Sequence, residues 1–368
     1  YSQYRQTIFV PRGNRFATLI SASRANFGGD LVLEPKDLPE GITMIAEPMA
    51  ANMNTMPVVF EAAADAPLSG KLVDFRARHA DPNQNISGGF FNRADFVIAA
   101  PGQSLYTWRD VNRLAVAVVD ELPFTLEIVQ PQVPLVRNGS MQLKIVAHRK
   151  EGFDAPITVE LPFRPPGVGA SSSVVIHQGQ NEVLYPINAN GGAQLKKWPI
   201  FALGSADVGG AGWVSSQMAT LEIAEPFVTV AMERSAVEQG QKTEIFGNIT
   251  HNRPFEGSAK VLLVGLPHMV AAPELEINKE TAEITFPVTS DKTSPAGTHK
   301  NVICQVIITE NNEPIVHSNV GATELRIDVP LPPKPNAPAP KPEEKPAARA
   351  EAPKPPPEKR LTRLEKLR

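Results

Sequence analysis

A chain of 368 residues that is 42% hydrophobic and 20% charged can fill two to four folded domains, since roughly 100 residues suffice for a core. The net charge of −3 hides an asymmetry: residues 331–368 hold ten Lys/Arg against five Asp/Glu, leaving the body near −8 and the end near +5. An acidic body argues against nucleic acid as the partner. The single cysteine, Cys304, excludes an internal disulfide without excluding export, and no apolar run reaches the ~18 residues of a membrane-spanning helix. No signal peptide opens the sequence and residue 1 is Tyr, which points to a fragment or processed form with its natural start upstream.

From residue 7 the chain reads as short strands separated by turns. Ile8-Phe9-Val10 meets the turn Pro11-Arg12-Gly13-Asn14, and residues 16–23, 31–33, 57–60, 71–77, 97–98, 114–119 and 124–129 follow. Residues 142–147, 157–161, 174–176, 182–185, 199–203 and 219–223 make a second series. A third runs through residues 244–249, 259–264, 275–277, 282–287, 301–308 and 324–329. Runs of four to eight residues with alternating polarity, and no 3.6-residue stripe, predict an all-β protein.

The series look duplicated. Each opens with a valine three residues before a glycine: Val10/Gly13, Val136/Gly139 and Val237/Gly240. Each later carries a Leu-Pro pair: Leu38-Pro39, Leu161-Pro162 and Leu266-Pro267. Each closes on Leu-x-Ile-x-x-Pro, at Leu126 to Pro131, Leu221 to Pro226 and Leu325 to Pro330. A proline has no N–H for a sheet ladder, so each copy reads as the last strand of a domain. The expectation is three tandem immunoglobulin-like β-sandwiches over residues 5–130, 131–226 and 227–329, joined by short proline-marked links. Set end to end, with strands of about ten residues, they would form a stalk of roughly 100 Å. Residues 79–108 break the rhythm of the first unit and read as a long loop or extra hairpin. Beyond Pro330, residues 330–368 are a basic Pro/Ala/Lys-rich tail, too poor in apolar residues for a core and expected to be disordered. Its leucine-spaced end, residues 360–368, suits a short amphipathic helix or a frayed terminus.

Motifs for chemistry are weak. The seven histidines (His79, His148, His177, His251, His268, His299, His317) stand at no ligand spacing, and one cysteine cannot build a zinc knuckle. Asp81-x-Asn83-x-Asn85 resembles the start of a calcium loop, but Ile86 replaces the turn glycine and no glutamate follows, so a polar turn is the plainer reading. Gly-x-Ser-x-Gly is absent, and Ser171-Ser172-Ser173 precedes a strand rather than a helix. Gly209-Gly210-Ala211-Gly212-Trp213 lacks the Lys-Ser/Thr of a phosphate loop and reads as a hairpin tip, with Trp213 over the sandwich edge. Cys304 falls in phase with Val302 and Val306 and reads as a small buried hydrophobe. Trp108 and Phe90-Phe91 lie in the inserted region, where core packing competes with stacking on a sugar or partner. No catalytic, cofactor-binding or metal-binding residue is assigned, and no enzyme activity is expected.

Glu151-Gly152-Phe153-Asp154-Ala155-Pro156, Gly179-Gln180-Asn181-Glu182, Trp213-Val214-Ser215-Ser216-Gln217, Pro254-Phe255-Glu256-Gly257 and Glu313-Pro314-Ile315-Val316-His317 resemble the C-terminal part of large exported bacterial proteins that carry pre-peptidase C-terminal (PPC) domains and immunoglobulin-like modules. The closing Pro/Ala/Lys segment is similar too. The resemblance covers most of the chain from about residue 87 and implies immunoglobulin-like folds, export and a place in the cell envelope or on the cell surface. It brings no catalytic motif. The expected role is a non-catalytic structural or adhesive stalk that spaces or displays upstream domains. The alternative is an accessory substrate- or glycan-binding region of a secreted hydrolase whose catalytic domain lies before Tyr1. An envelope or extracellular protein or glycan is the expected partner in either case.

Overall fold

The computed structural model describes residues 7–98 and 105–331, with side chains except at 94–98 and 105–106. The expected basic tail beyond residue 331 and the short helix expected at its end lie outside these residues. Among the described residues every regular element is a β-strand. Burial alternates along them as the sequence alternates: Leu114–Val119, Phe124–Ile128 and Glu283–Ser290 each bury every second side chain. That period of two is the signature of strands with one face in a core.

The strands pair into immunoglobulin-like sandwiches, and in the second and third the opening segment changes sheets. In the first, Thr7–Pro11, Leu114–Val119, Ser69–His79 and Leu31–Lys36 face Arg15–Ser21, Thr55–Ala62 and Ile42–Ile45. In the second, Phe124–Ile128, Gly139–Arg149, Glu182–Ala189 and Val168–Ala170 form one sheet. Its other sheet is built from Leu135–Val136, Ala219–Ala224, Lys196–Ile200, Ala211–Ser215, Leu203–Asp207, Ile157–Glu160 and Val174–Ile176. The third repeats the plan, with Val228–Met232, Lys242–His251 and Glu283–Ser290 against Ser235–Glu238, Glu313–Asp328, Gly297–Glu310 and Ser258–Val264.

The opening valines hold one structural role in all three. Val10 pairs in parallel with Val118, Val136 with Ala224 and Val237 with Ile327, so each lies beside the last strand of its sandwich. The turn that follows needs a left-handed residue, and Gly13 (φ 64°), Asn138 (φ 54°) and Gly240 (φ 79°) supply it.

Two expectations are corrected. Leu126 and Ile128 do not close the first sandwich; Leu114–Val119 does. Phe124–Ile128 runs antiparallel to Gly139–Arg149, with Leu126 opposite Ala147, and is the first strand of the second sandwich. Pro131 therefore marks a sheet switch inside that sandwich, and the joint lies near residues 120–123 instead of 131–135. Leu221/Ile223 and Leu325/Ile327 do lie in closing strands.

The first two sandwiches also fail to stack end to end. Asn14, in the turn after Val10, donates from Nδ2 to the Phe124 carbonyl at 2.9 Å, in a buried position. At the opposite pole of the first sandwich, Asn52 donates to Gln194 Oε1 at 3.3 Å, and Gln194 lies at the pole of the second sandwich remote from Phe124. Arg15–Ser21 runs along Ala211–Ser215 between these points. The two sandwiches thus lie side by side and antiparallel.

Candidate functional site: two junctions and a tryptophan cleft

Each sequence candidate can now be placed. Asp81 Oδ1 accepts the backbone N–H and the side-chain amide of Asn83 (2.9 and 3.0 Å), and His79 Nδ1 accepts the Asp81 N–H at 3.0 Å. The calcium-like loop spends its carboxylate on its own turn. Among the described residues no three His, Cys, Asp or Glu side chains come together as metal ligands. Cys304 is fully buried in the third core, and burial pushes its thiol up to about 12. The 79–108 segment leads into the hairpin Asn92–Ile98/Leu105–Val111, whose second arm ends just past it. Trp108 on it is 45% exposed, with the Arg93 guanidinium 4.9 Å from its ring centre, and Phe91 is 64% exposed. Core packing fails for both because the hairpin stands off the sandwich, whereas Phe90 reaches back to Phe75 at 6.1 Å. Trp213 lies on the Ala211–Ser215 arm of the Gly209-Gly210 hairpin, half-buried.

Sequence reading missed both junctions. Between the first and second sandwiches, Met49 and Met56 meet Phe163 and Trp198 around a small cavity. Arg24 fixes that loop by donating to the carbonyls of Met49, Ala50 and Met53. Where the chain links the second to the third, the Phe227 N–H donates to Nε2 of His317, fully buried in the third, at 3.0 Å, and the two rings meet edge to face at 5.7 Å. The Phe227 carbonyl accepts from the Asn252 and Arg253 amides, and the Arg253 guanidinium sits 4.7 Å over the Phe227 ring. Burial holds the imidazole down at about 4, and the nearby carbonyls of Val306 and Ile315 offset only part of that. Neither carbonyl meets Nδ1 with hydrogen-bond geometry. Pro226 before Phe227 was the one local signal in the sequence.

The same junction joins sheets. Phe124–Ile128 leaves Gly139–Arg149 near Pro131, which opens the edge of that strand below Lys144. Glu313–Asp328 of the third sandwich fills part of it, with Val316 opposite Ser140. Gln132 N donates to Glu313 Oε2, Asn311 Nδ2 to the Gln132 carbonyl and Asn319 N to the Asn138 carbonyl. A strand edge that would otherwise invite foreign pairing is closed by the next sandwich.

A cleft of about 530 Å³ opens on the outer face of the second sandwich, at the pole beside Phe124. Its floor is one row across three paired strands: Thr158 opposite Ser205, and Ser205 opposite Trp213. Pro156, Asp207 and Ala211 line the next row. The walls are fixed from behind. Arg149 donates to the Ala155 carbonyl at 2.6 Å, and Asp207 Oδ1 accepts from the Gly209 and Gly210 amides at 3.0 and 3.1 Å. Asp154 accepts the Gly179 N–H at 2.8 Å, a bond that holds its carboxyl below the usual range and ties the loop to its neighbour.

The strand pairing defines an all-β chain of immunoglobulin-like sandwiches. No protein-family model matches the chain and no curated protein does. Among solved structures, a protein of unknown function from Porphyromonas gingivalis W83 is similar at 13% identity over 55% of this chain and 99% of its own, with a TM-score of 0.21. The fibronectin(III)-like modules of Clostridium thermocellum CbhA are 12% identical over 55% of this chain and 94% of theirs (TM-score 0.21). The protocadherin GammaB4 extracellular domain is 9% identical over 88% of this chain and 65% of its own (TM-score 0.20).

Proposed function

We propose that this chain is a non-catalytic structural or adhesive part of an exported multidomain protein, holding its sandwiches in fixed orientation at the cell envelope or surface. Kinship with exported PPC-domain proteins belongs to the same proposal and rests on the segments quoted above. The observation that supports the reading is the construction of the junctions. Independent modules on free tethers need no ordered bonds between them, yet Asn14 of the first makes a buried bond to Phe124 of the second, and Val316 of the third pairs with Ser140 of the second. Burying a polar group costs about 1–3 kcal/mol unless it is paired, so such bonds hold a defined geometry. The test is backbone 15N relaxation on the whole chain. One correlation time shared by residues 7–120, 124–224 and 228–328 is expected; three independent times would overturn the proposal.

A further inference from the structure

We propose that the Trp213 cleft of the second sandwich binds a neutral glycan chain. A pyranose ring presents a flat C–H face and a rim of hydroxyls, so its receptor needs an aromatic or apolar plane beside in-plane donors and acceptors. The cleft supplies both in one row. Trp213, Pro156 and Ala211 provide the apolar surface, and Thr158, Ser205 and Asp207 the oxygens. Neither the Thr158 nor the Ser205 hydroxyl is engaged by another described residue, whereas those of Ser235, Ser290 and Ser318 are. With strands about 4.8 Å apart, the Thr158–Ser205–Trp213 row spans about 10 Å, room for a disaccharide segment of a longer chain. The volume lies within the usual range for small-ligand sites.

Other occupants fit less well. A peptide that binds by strand addition needs an unpaired edge, but Leu203–Asp207 is paired on both sides, and Arg15–Ser21 of the first sandwich runs beside Ala211–Ser215, the end strand of this ladder. An anionic ligand meets no Lys or Arg among the described lining residues and faces the Asp207 carboxylate on an acidic body. The walls are held by Arg149, Asp154 and Asp207 through bonds behind the cleft, so little ordering cost is left for binding.

The test is calorimetric titration of the full chain with cellohexaose, xylohexaose, mannohexaose and chitohexaose, and with oligogalacturonate and heparin fragments as acidic arms. Binding of at least one neutral hexasaccharide is expected. Trp213→Ala should weaken it about tenfold or more, and Trp108→Phe should leave it unchanged. Because Trp213 also packs on the core, Ala211→Phe provides an independent variant: Ala211 is exposed, and a ring there fills the cleft without removing core contacts. Loss of binding in Ala211→Phe at unchanged melting temperature supports the site. Binding by the acidic glycans alone, no binding by any of the six, or binding unaffected by both cleft variants would overturn it.

Discussion

Protonating His317 means giving its Nε2 lone pair to a proton instead of to the Phe227 amide, at a fully buried position. An unfolded histidine titrates near 6.5, and this one titrates at about 4 when folded. Between those values the unfolded chain holds a proton that the folded chain refuses. Stability is therefore complete above about pH 6.5 and drains away as pH falls toward 4, by about 3 kcal/mol if the whole shift is expressed. The melting temperature should drop across that window in the wild type and drop less in His317→Gln; equal slopes in the two proteins would refute the assignment. No local cue could have singled out this residue. Its spacing matches no motif, and its meaning comes from Phe227, ninety residues earlier in the chain.

At the scale of elements, Gly139 shows how little room the second junction leaves. A Cβ there would lie 2.5 Å from the Val316 carbonyl and 2.6 Å from Val136 Cγ2. Gly139→Ala should cost about 1–3 kcal/mol by overpacking, read as a lower denaturation midpoint, with the loss concentrated at the junction with Val316. A midpoint within error of the wild type would mean the strands part easily. The alternation that made Gly139–Arg149 recognisable as a strand is fully local, and so are the left-handed turns at Gly13 and Gly240. Partner choice is not. Leu126-x-Ile128 and Leu221-x-Ile223 look alike because a first strand and a last strand both bury every second residue. Only the long-range pairing with Ala147 or with Leu135 tells them apart. Trp108 was ambiguous for a related reason, since an aromatic on a projecting hairpin and one on a core strand obey the same alternation. The Trp213 cleft was half legible: the hairpin tip could be read from its glycines, but the row through Ser205 and Thr158 joins three distant segments.

For the body of the molecule, residues 7–329, the side-by-side packing of the first two sandwiches is the main departure from a simple string of modules. It brings Asn52 against Gln194, whereas stacking end to end would separate those poles by at least one sandwich length, about 33 Å for ten-residue strands. Spin labels at Asn52→Cys and Gln194→Cys, with buried Cys304 left in place, should report a narrow distance distribution below about 20 Å; a broad distribution beyond about 30 Å would restore the string. Proline-marked joints suggested a string because prolines stiffen a link without saying which way it points. The direction is set by the Asn14, Arg24 and Trp198 contacts, which no linker composition encodes.

The parallel pair of Ser235–Glu238 with Glu313–Asp328 also decides how the third sandwich carries a load. If the chain is pulled from residue 329 against the second sandwich, the force runs along both strands. The bonds from Ser235–Leu325 to Glu238–Asp328 are then sheared together instead of unzipped one at a time. The Val316–Ser140 bridge lies on the same strand, so tension reaches the second sandwich without passing through the Glu225–Pro226 link alone. Stretched in a force microscope, the third sandwich should yield at a higher force than a Val237→Pro variant, in which one rung of that pair is removed. Equal yield forces would place the mechanical clamp elsewhere.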